Sequence, residues 1–186
     1  MSIAIVGAGL AGAACARALA DAGMGVRLFD KGRSVGGRLA QRRVEQGVFD
    51  HGAQYLAARD PAFLVAVDGW RRQGIIADWP GVESSSGAPV LVGVPSMSAP
   101  VKALLADLPV ATACRIEALR HATGGWVLVA EDGTRHGPFA AVVLAVPAPQ
   151  SVPLLATAGE AVAAAMILRL GGVGMAPCWS ALAAFA

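Results

Sequence analysis

The stretch from Ile3 to Gly12, IAIVGAGLAG, decides the fold. Its first four residues are apolar without a break, as a strand covered on both faces of a parallel sheet must be. Glycines follow at once at positions 7, 9 and 12, in the spacing G-x-G-x-x-G. From Leu10 to Ala22 an alanine-rich run favours helix, and Gly23 stands where a helix stop prefers glycine. Val26 to Phe29 reads as the next strand, ending at Asp30. Strand, tight glycine turn, helix and strand make a βαβ unit, the context in which this glycine pattern carries chemical meaning.

That chemistry follows from the spacing. Gly7 permits the tight turn, Gly9 lets a pyrophosphate approach the backbone with no Cβ in the way, and Gly12 lets the helix pack closely on the strand. The phosphates then meet unsatisfied backbone N–H groups and the positive end of the helix dipole. Asp30, about twenty residues beyond the loop, is placed to accept hydrogen bonds from ribose hydroxyls. Its charge opposes a 2′-phosphate and so disfavours NADP, an effect softened by the neighbouring Lys31 and Arg33. The competing reading is a glycine turn with no ligand, and the pattern alone does not separate FAD from NAD.

The bulk properties agree with a small-ligand domain. A chain of 186 residues has room for one ordinary domain, and 55% hydrophobic against 15% charged residues exclude a disordered tail. With a net charge of +2 and only Arg38, Arg42 and Arg43 clustered, no nucleic-acid partner is expected; a small anionic ligand is. Cys15, Cys114 and Cys178 are far apart, which argues against a disulfide framework or a zinc site. Cys15 and Cys114 read as buried small hydrophobes, and cytoplasm is the expected compartment. No basic leader precedes Ile3, so the start reads as structural. The uncharged run from Phe139 to Gly159 is interrupted by Pro147, Pro149 and Pro153, so no membrane span is expected.

Further along, Asp60-Pro61 reads as a helix cap followed by proline in the first turn, with Phe63, Leu64, Val67 and Trp70 at helical spacing and a stop at Gly74. Val82 to Ala88 is turn-like, Pro89 to Val94 a strand, and a helix follows Ser98 with Val101, Leu104, Leu105 and Leu108 on its apolar face. Arg115–Leu119, Trp126–Ala130 and Thr134–His136, joined by an Asp132-Gly133 turn, make a β-meander. Ala141 to Val146 is continuously apolar and suits the centre of the sheet, ended by Pro147. A helix is expected around Glu160 to Leu170, and the apolar segment from Val173 to Phe185 stops without a polar closing element.

Two phrases carry a family likeness. DKGRSVGGR at residues 30–38 and FDHGAQY at residues 49–55 resemble the flavin amine oxidase superfamily, most closely its renalase-like branch. GVPSMSAPVKALL and AVVLAVPAPQ are similar to further segments of it, and the matching phrases run in order from Ile3 to about Trp179. The resemblance implies a Rossmann-type FAD-binding α/β fold with a parallel central sheet, a β-meander and an incomplete substrate-binding domain. It implies that FAD is held by Gly7, Gly9, Ala11, Gly12, Asp30 and Lys31, with Gly37 and Arg38 at the phosphates. Gln54 and Tyr55 would approach the flavin, and the backbone of Ile116 the adenine. By the same likeness, residues 1–58 and 97–155 form the FAD-binding part, while 59–96 and 156–186 belong to the substrate-binding region. Ala176 to Trp179 would open a further sheet, and the chain reads as truncated at its C-terminus.

The implied activity is hydride transfer from a small reduced donor to flavin and then to dioxygen. The renalase branch points to dihydro-NAD(P) isomers as donors, the wider superfamily to amines, and a truncated, silent dinucleotide-binding remnant is the alternative of another class. No catalytic side chain or metal ligand stands out. His51 reads as a structural hydrogen-bonding residue because flavin hydride acceptors do not generally require a protein base. Asp50 reads as a cap or turn residue, Met97 as a cofactor neighbour or gap filler, Trp179 as packing, and His121 and His136 as solvated. An unpaired apolar edge from Ala161 onward leads to an expectation of self-association.

Overall fold

In the computed structural model of the chain, residues 2–83, 87 and 89–184 are described. The expected opening is present as β1 (Ser2–Val6), α1 (Leu10–Asp21) and β2 (Gly25–Phe29). Gly23 closes α1 at a positive φ of 78°. Its N–H reaches the Ala20 carbonyl while that of Met24 reaches Leu19, the paired bonds of a Schellman stop. After a 3-10 turn over Gly37–Leu39 come the hairpin strands β3 (Gln41–Val44) and β4 (Gly47–Asp50). Next are α2 (Pro61–Arg72), β5 (Ile76–Glu83), β6 (Pro89–Gly93), α3 (Ala99–Leu104) and β7 (Val110–Ala111). The meander strands β8 (Ile116–Ala122), β9 (Gly125–Ala130) and β10 (Arg135–Phe139) lead to β11 (Ala141–Leu144), α4 (Ala148–Ala156) and α5 (Glu160–Gly171).

The central sheet has the order β11-β1-β2-β7, with every pairing parallel. Alternate residues of its inner strands enter two cores. Ile5 and Leu28 face a cluster with Ala13, Ala16, Val101 and Leu105 on the helical side. Ala4, Val6 and Phe29 face Leu119, Leu128 and Phe139 of the meander. Both faces are therefore covered, which is why β1 carries no polar residue between Ile3 and Val6. Ile5, Leu28 and Phe29 are fully buried, each contributing about 1.5–3 kcal/mol by leaving water. A third core of Ala58, Val67, Trp70, Ile76 and Leu91 lies under α2. There Asp60 caps the helix by accepting the Phe63 N–H at 3.0 Å, with Pro61 in the first turn.

Several expectations are corrected. Ala141–Leu144 lies at the end of the central sheet, not its centre. Its apolar run reflects two covered faces, since Val143 packs on the helical core and Val142 and Leu144 on the meander core. Helix α3 stops at Leu104 rather than continuing to Leu108; beyond it the Ala106 and Leu108 N–H groups turn to the Ala103 and Leu105 carbonyls, three residues back, and Leu105 still reaches the core. The turn assigned from Val82 begins later, since β5 runs through Glu83; Ser84 to Ser86 and Ala88 lie outside the described residues. Ala176–Trp179 forms no strand, and Trp179 is 95% exposed rather than packed. His136 is not solvated: its ring lies 4.8 Å from that of Phe29 and its Nε2 3.7 Å from the Cys114 sulfur. Cys15 and Cys114 are half-buried at the edges of the two main cores.

Candidate functional site

The C-terminal ends of β1 and β2 open onto a cleft of about 990 Å³, the usual ligand position in an open α/β sheet. Its floor is the glycine loop between β1 and α1, and the three loop glycines are there for different reasons. Gly7 is buried at φ 105°, and a Cβ on it would lie 2.7 Å from the Ala145 carbonyl oxygen. A Cβ on Gly12 would come within 3.0 Å of the Gly7 carbonyl carbon and overlap its oxygen. Both positions are closed to side chains by backbone.

Gly9 differs. Its φ is −79°, and an added Cβ would meet only Gly37 Cα at 3.7 Å and the Gly36 oxygen at 3.9 Å, ordinary contacts. Among the described residues nothing closes this position to a side chain. The isolated bridge between Gly9 and Gly36 turns the Leu10 N–H towards the Gly36 carbonyl, while among the described residues the amides of Gly9 and Ala11 take no protein acceptor. An open N-terminus, a missing Cβ and free amides together form a cradle for a diphosphate.

A second glycine segment closes one side. The Gly36 N–H donates to the Ala8 carbonyl at 2.9 Å, and Gly37 at φ 54° presses on Gly9, where a Cβ would lie 3.1 Å from Gly9 Cα. Arg38, in the 3-10 turn that follows, is exposed, lines the cleft and has no carboxylate partner among the described residues. An unpaired guanidinium beside free amides suits a phosphate.

Asp30 has a role that spacing alone did not disclose. One carboxylate oxygen accepts the Ala8 N–H at 2.6 Å and the other the Gly32 N–H at 2.7 Å, so the acid braces the glycine loop from the end of β2. A carboxylate has about four acceptor positions, which leaves capacity for ribose hydroxyls. Across the cleft the Lys31 ammonium donates to Gln150 of α4 at 2.9 Å. Ile116, buried at the start of β8, lines the wall with Cys114 and Glu117.

Of the residues singled out from sequence, Gly7, Gly9, Ala11, Asp30, Lys31, Gly37, Arg38 and Ile116 line this one cleft. Gly12 lies just behind it, packing α1 on the loop. Gln54 and Tyr55 do not line it; both are exposed, Tyr55 by 45%, between β4 and the Leu56–Leu91 bridge. His51 is exposed and also outside the lining. Asp50 ties β4 to the turn before α3, both carboxylate oxygens accepting the Met97 N–H at 3.2 Å, and Met97 itself fills the helical core. At the wall, burial pushes the Cys114 thiol up, aided by Asp132, so it remains protonated at neutral pH. Burial and then Arg27 push the His136 imidazole down, against the pull of Asp132.

Comparisons with known proteins agree with this geometry. Residues 5–68 match the family model of the NAD(P)-binding Rossmann-like domain. The chain is similar in structure to a triple mutant of putrescine oxidase made in a structure-based redesign of cofactor binding, with TM-score 0.66 and 14% identity over 82% of this chain. It is similar also to wild-type putrescine oxidase bound to putrescine, with TM-score 0.62 and 14% identity over the same share. The chain spans 59% of the length of each of those proteins. The fold is thus a Rossmann-type α/β fold with a parallel central sheet.

Proposed function

We propose that the cleft holds FAD and that the chain is an FAD-dependent oxidoreductase of the flavin amine oxidase kind. The observation that carries this reading is the coincidence of the free amides of Gly9 and Ala11, the braced Asp30 and, among the described residues, an Arg38 without a carboxylate partner on one cleft. Gly9 to Ala11 and Arg38 would bind the diphosphate, Asp30 and Lys31 the adjoining ribose, and Ile116 would flank the adenine. FAD, when bound, supplies two-electron chemistry: a hydride is taken from a small reduced donor and both electrons pass to dioxygen, giving hydrogen peroxide. This chain's share is to fix the cofactor and its charge.

Two donor classes are proposed. The renalase-like phrases favour dihydro-NAD(P) isomers, returned to NAD(P)+ by loss of hydride. The likeness to putrescine oxidase favours an amine as the second reading. A visible spectrum of the purified chain tests the cofactor: bound oxidised flavin near 1:1 is expected, and a colourless protein that FAD does not reconstitute counts against the reading. Anaerobic bleaching by dihydro-NAD isomers or by putrescine then separates the donors.

A further inference from the structure

We propose that Gly52 is a positioning residue for the diphosphate, holding the Arg38 turn against the glycine loop; this rests on the dinucleotide reading above. Gly52 has no positive φ to explain it, unlike Gly36 and Gly37 beside the loop. What requires glycine is proximity. A Cβ on Gly52 would lie 2.8 Å from the Arg38 carbonyl carbon and 3.5 Å from its Cα, and would overlap its oxygen. All of these are backbone atoms, which cannot swing aside as the end of a flexible side chain does. The next residue uses that proximity: the Ala53 N–H donates to the same Arg38 carbonyl at 2.8 Å.

The Arg38 turn is therefore held from two directions by segments distant in sequence. On one side Gly36 bonds the Ala8 carbonyl and Gly37 contacts Gly9. On the other, residues 52 and 53 grip the Arg38 carbonyl, and Leu39 anchors the turn in the helical core beside Ala8 and Met97. Among the described residues no carboxylate orients the guanidinium that projects from this turn, so the backbone clamp is what sets its origin. A methyl at position 52 displaces the Arg38 peptide and breaks the Ala53 bond without touching Asp30, just past β2, or Ile116, at the start of β8.

Calorimetric titration of the full chain with AMP and with ADP tests this. Gly52→Ala should weaken ADP about tenfold or more, the scale of one charge-assisted hydrogen bond, and AMP by less than about threefold. In an Arg38→Ala background the same substitution should add nothing, because both act through one guanidinium. Equal losses for the two nucleotides, additive losses, or no loss overturn the proposal. Should Gly52→Ala fail to fold, hydrogen exchange on the unsubstituted chain decides. Coupling is reciprocal, so ADP but not AMP should slow exchange of the Ala53 amide, and an unchanged rate is the overturning result. If the unsubstituted chain binds neither nucleotide, the dinucleotide reading itself falls and this one with it; binding of both with an indifferent Gly52 overturns the clamp alone.

Discussion

Replacing each of two loop glycines by alanine should separate binding from folding. At Gly12 the new methyl would overlap the Gly7 carbonyl and lie 3.3 Å from Ala145 Cβ, so α1 must move off β1. Overpacking of this kind costs about 1–3 kcal/mol, and a backbone obstacle places it at the upper end. For a chain of this size about 3 kcal/mol lowers Tm by roughly 6–12 °C. At Gly9 the methyl meets nothing nearer than 3.7 Å on an unstrained backbone. Losing glycine at a helix cap and gaining alanine's smaller unfolded-state entropy nearly offset, leaving a net effect within about 1 kcal/mol, or roughly 4 °C. The same methyl adds bulk at the position where glycine lets a pyrophosphate approach the backbone. If two charge-assisted bonds to the diphosphate are lost at about 1.5–3 kcal/mol each, affinity for FAD falls by roughly 10²–10⁴-fold. Thermal unfolding and calorimetric titration of both variants measure the contrast. FAD affinity within threefold of the parent for Gly9→Ala, or a parental Tm for Gly12→Ala, refutes the assigned geometry.

Other perturbations have equally definite outcomes. Asp30→Ala strips the acceptor from the Ala8 and Gly32 amides and should lower stability by about 2 kcal/mol even without ligand, since partly buried donors are left unpaired; an unchanged denaturation midpoint contradicts the brace. Because the His136 imidazole is pushed down in the folded chain, the unfolded chain binds the extra proton first. Stability should therefore be level above pH about 6.5 and fall below it, and His136→Leu should remove that part of the slope in denaturant titrations from pH 5 to 8. Leu168, Met166 and Trp179 are exposed apolar side chains on α5 and beyond, so sedimentation should show concentration-dependent self-association that Leu168→Glu reduces; a monomer at every concentration opposes this.

What was legible in the sequence followed from local rules. The βαβ opening, the Asp60 cap, the Gly23 and Gly74 stops and the Asp132-Gly133 turn each depend on residues within one or two turns of each other, and all are present. What escaped depends on distant partners. Hairpin β3–β4 turns at Glu45-Gln46, which carries no usual turn residue, and β5 includes Pro80 and Gly81, tolerated in a two-stranded sheet whose register shifts between Asp78 and Glu83. Helix α4 was hidden by prolines; Pro149 falls in a first turn that needs no donor, and only Pro153 removes an interior bond. Motif spacing placed Asp30 beside a ribose, yet its grip on Ala8 appears only once β2 is laid against β1.

Much of the structure around the cleft is held by main chain rather than side chains. Its contacts at residues 7–12, 36–37 and 52–53 are backbone against backbone: Gly36 to Ala8, Ala53 to Arg38, and Gly37 on Gly9. Such contacts use N–H and C=O groups that every residue carries, and they need only that certain positions lack a Cβ. Side chains elsewhere are then free to vary so long as Ile5, Leu28 and Phe29 keep apolar partners on the two faces of the sheet. That division of labour sets the tolerance of the fold to substitution. It also identifies the vulnerable positions as Gly7, Gly12 and Gly52, where one methyl group collides with main chain, rather than the larger residues around them.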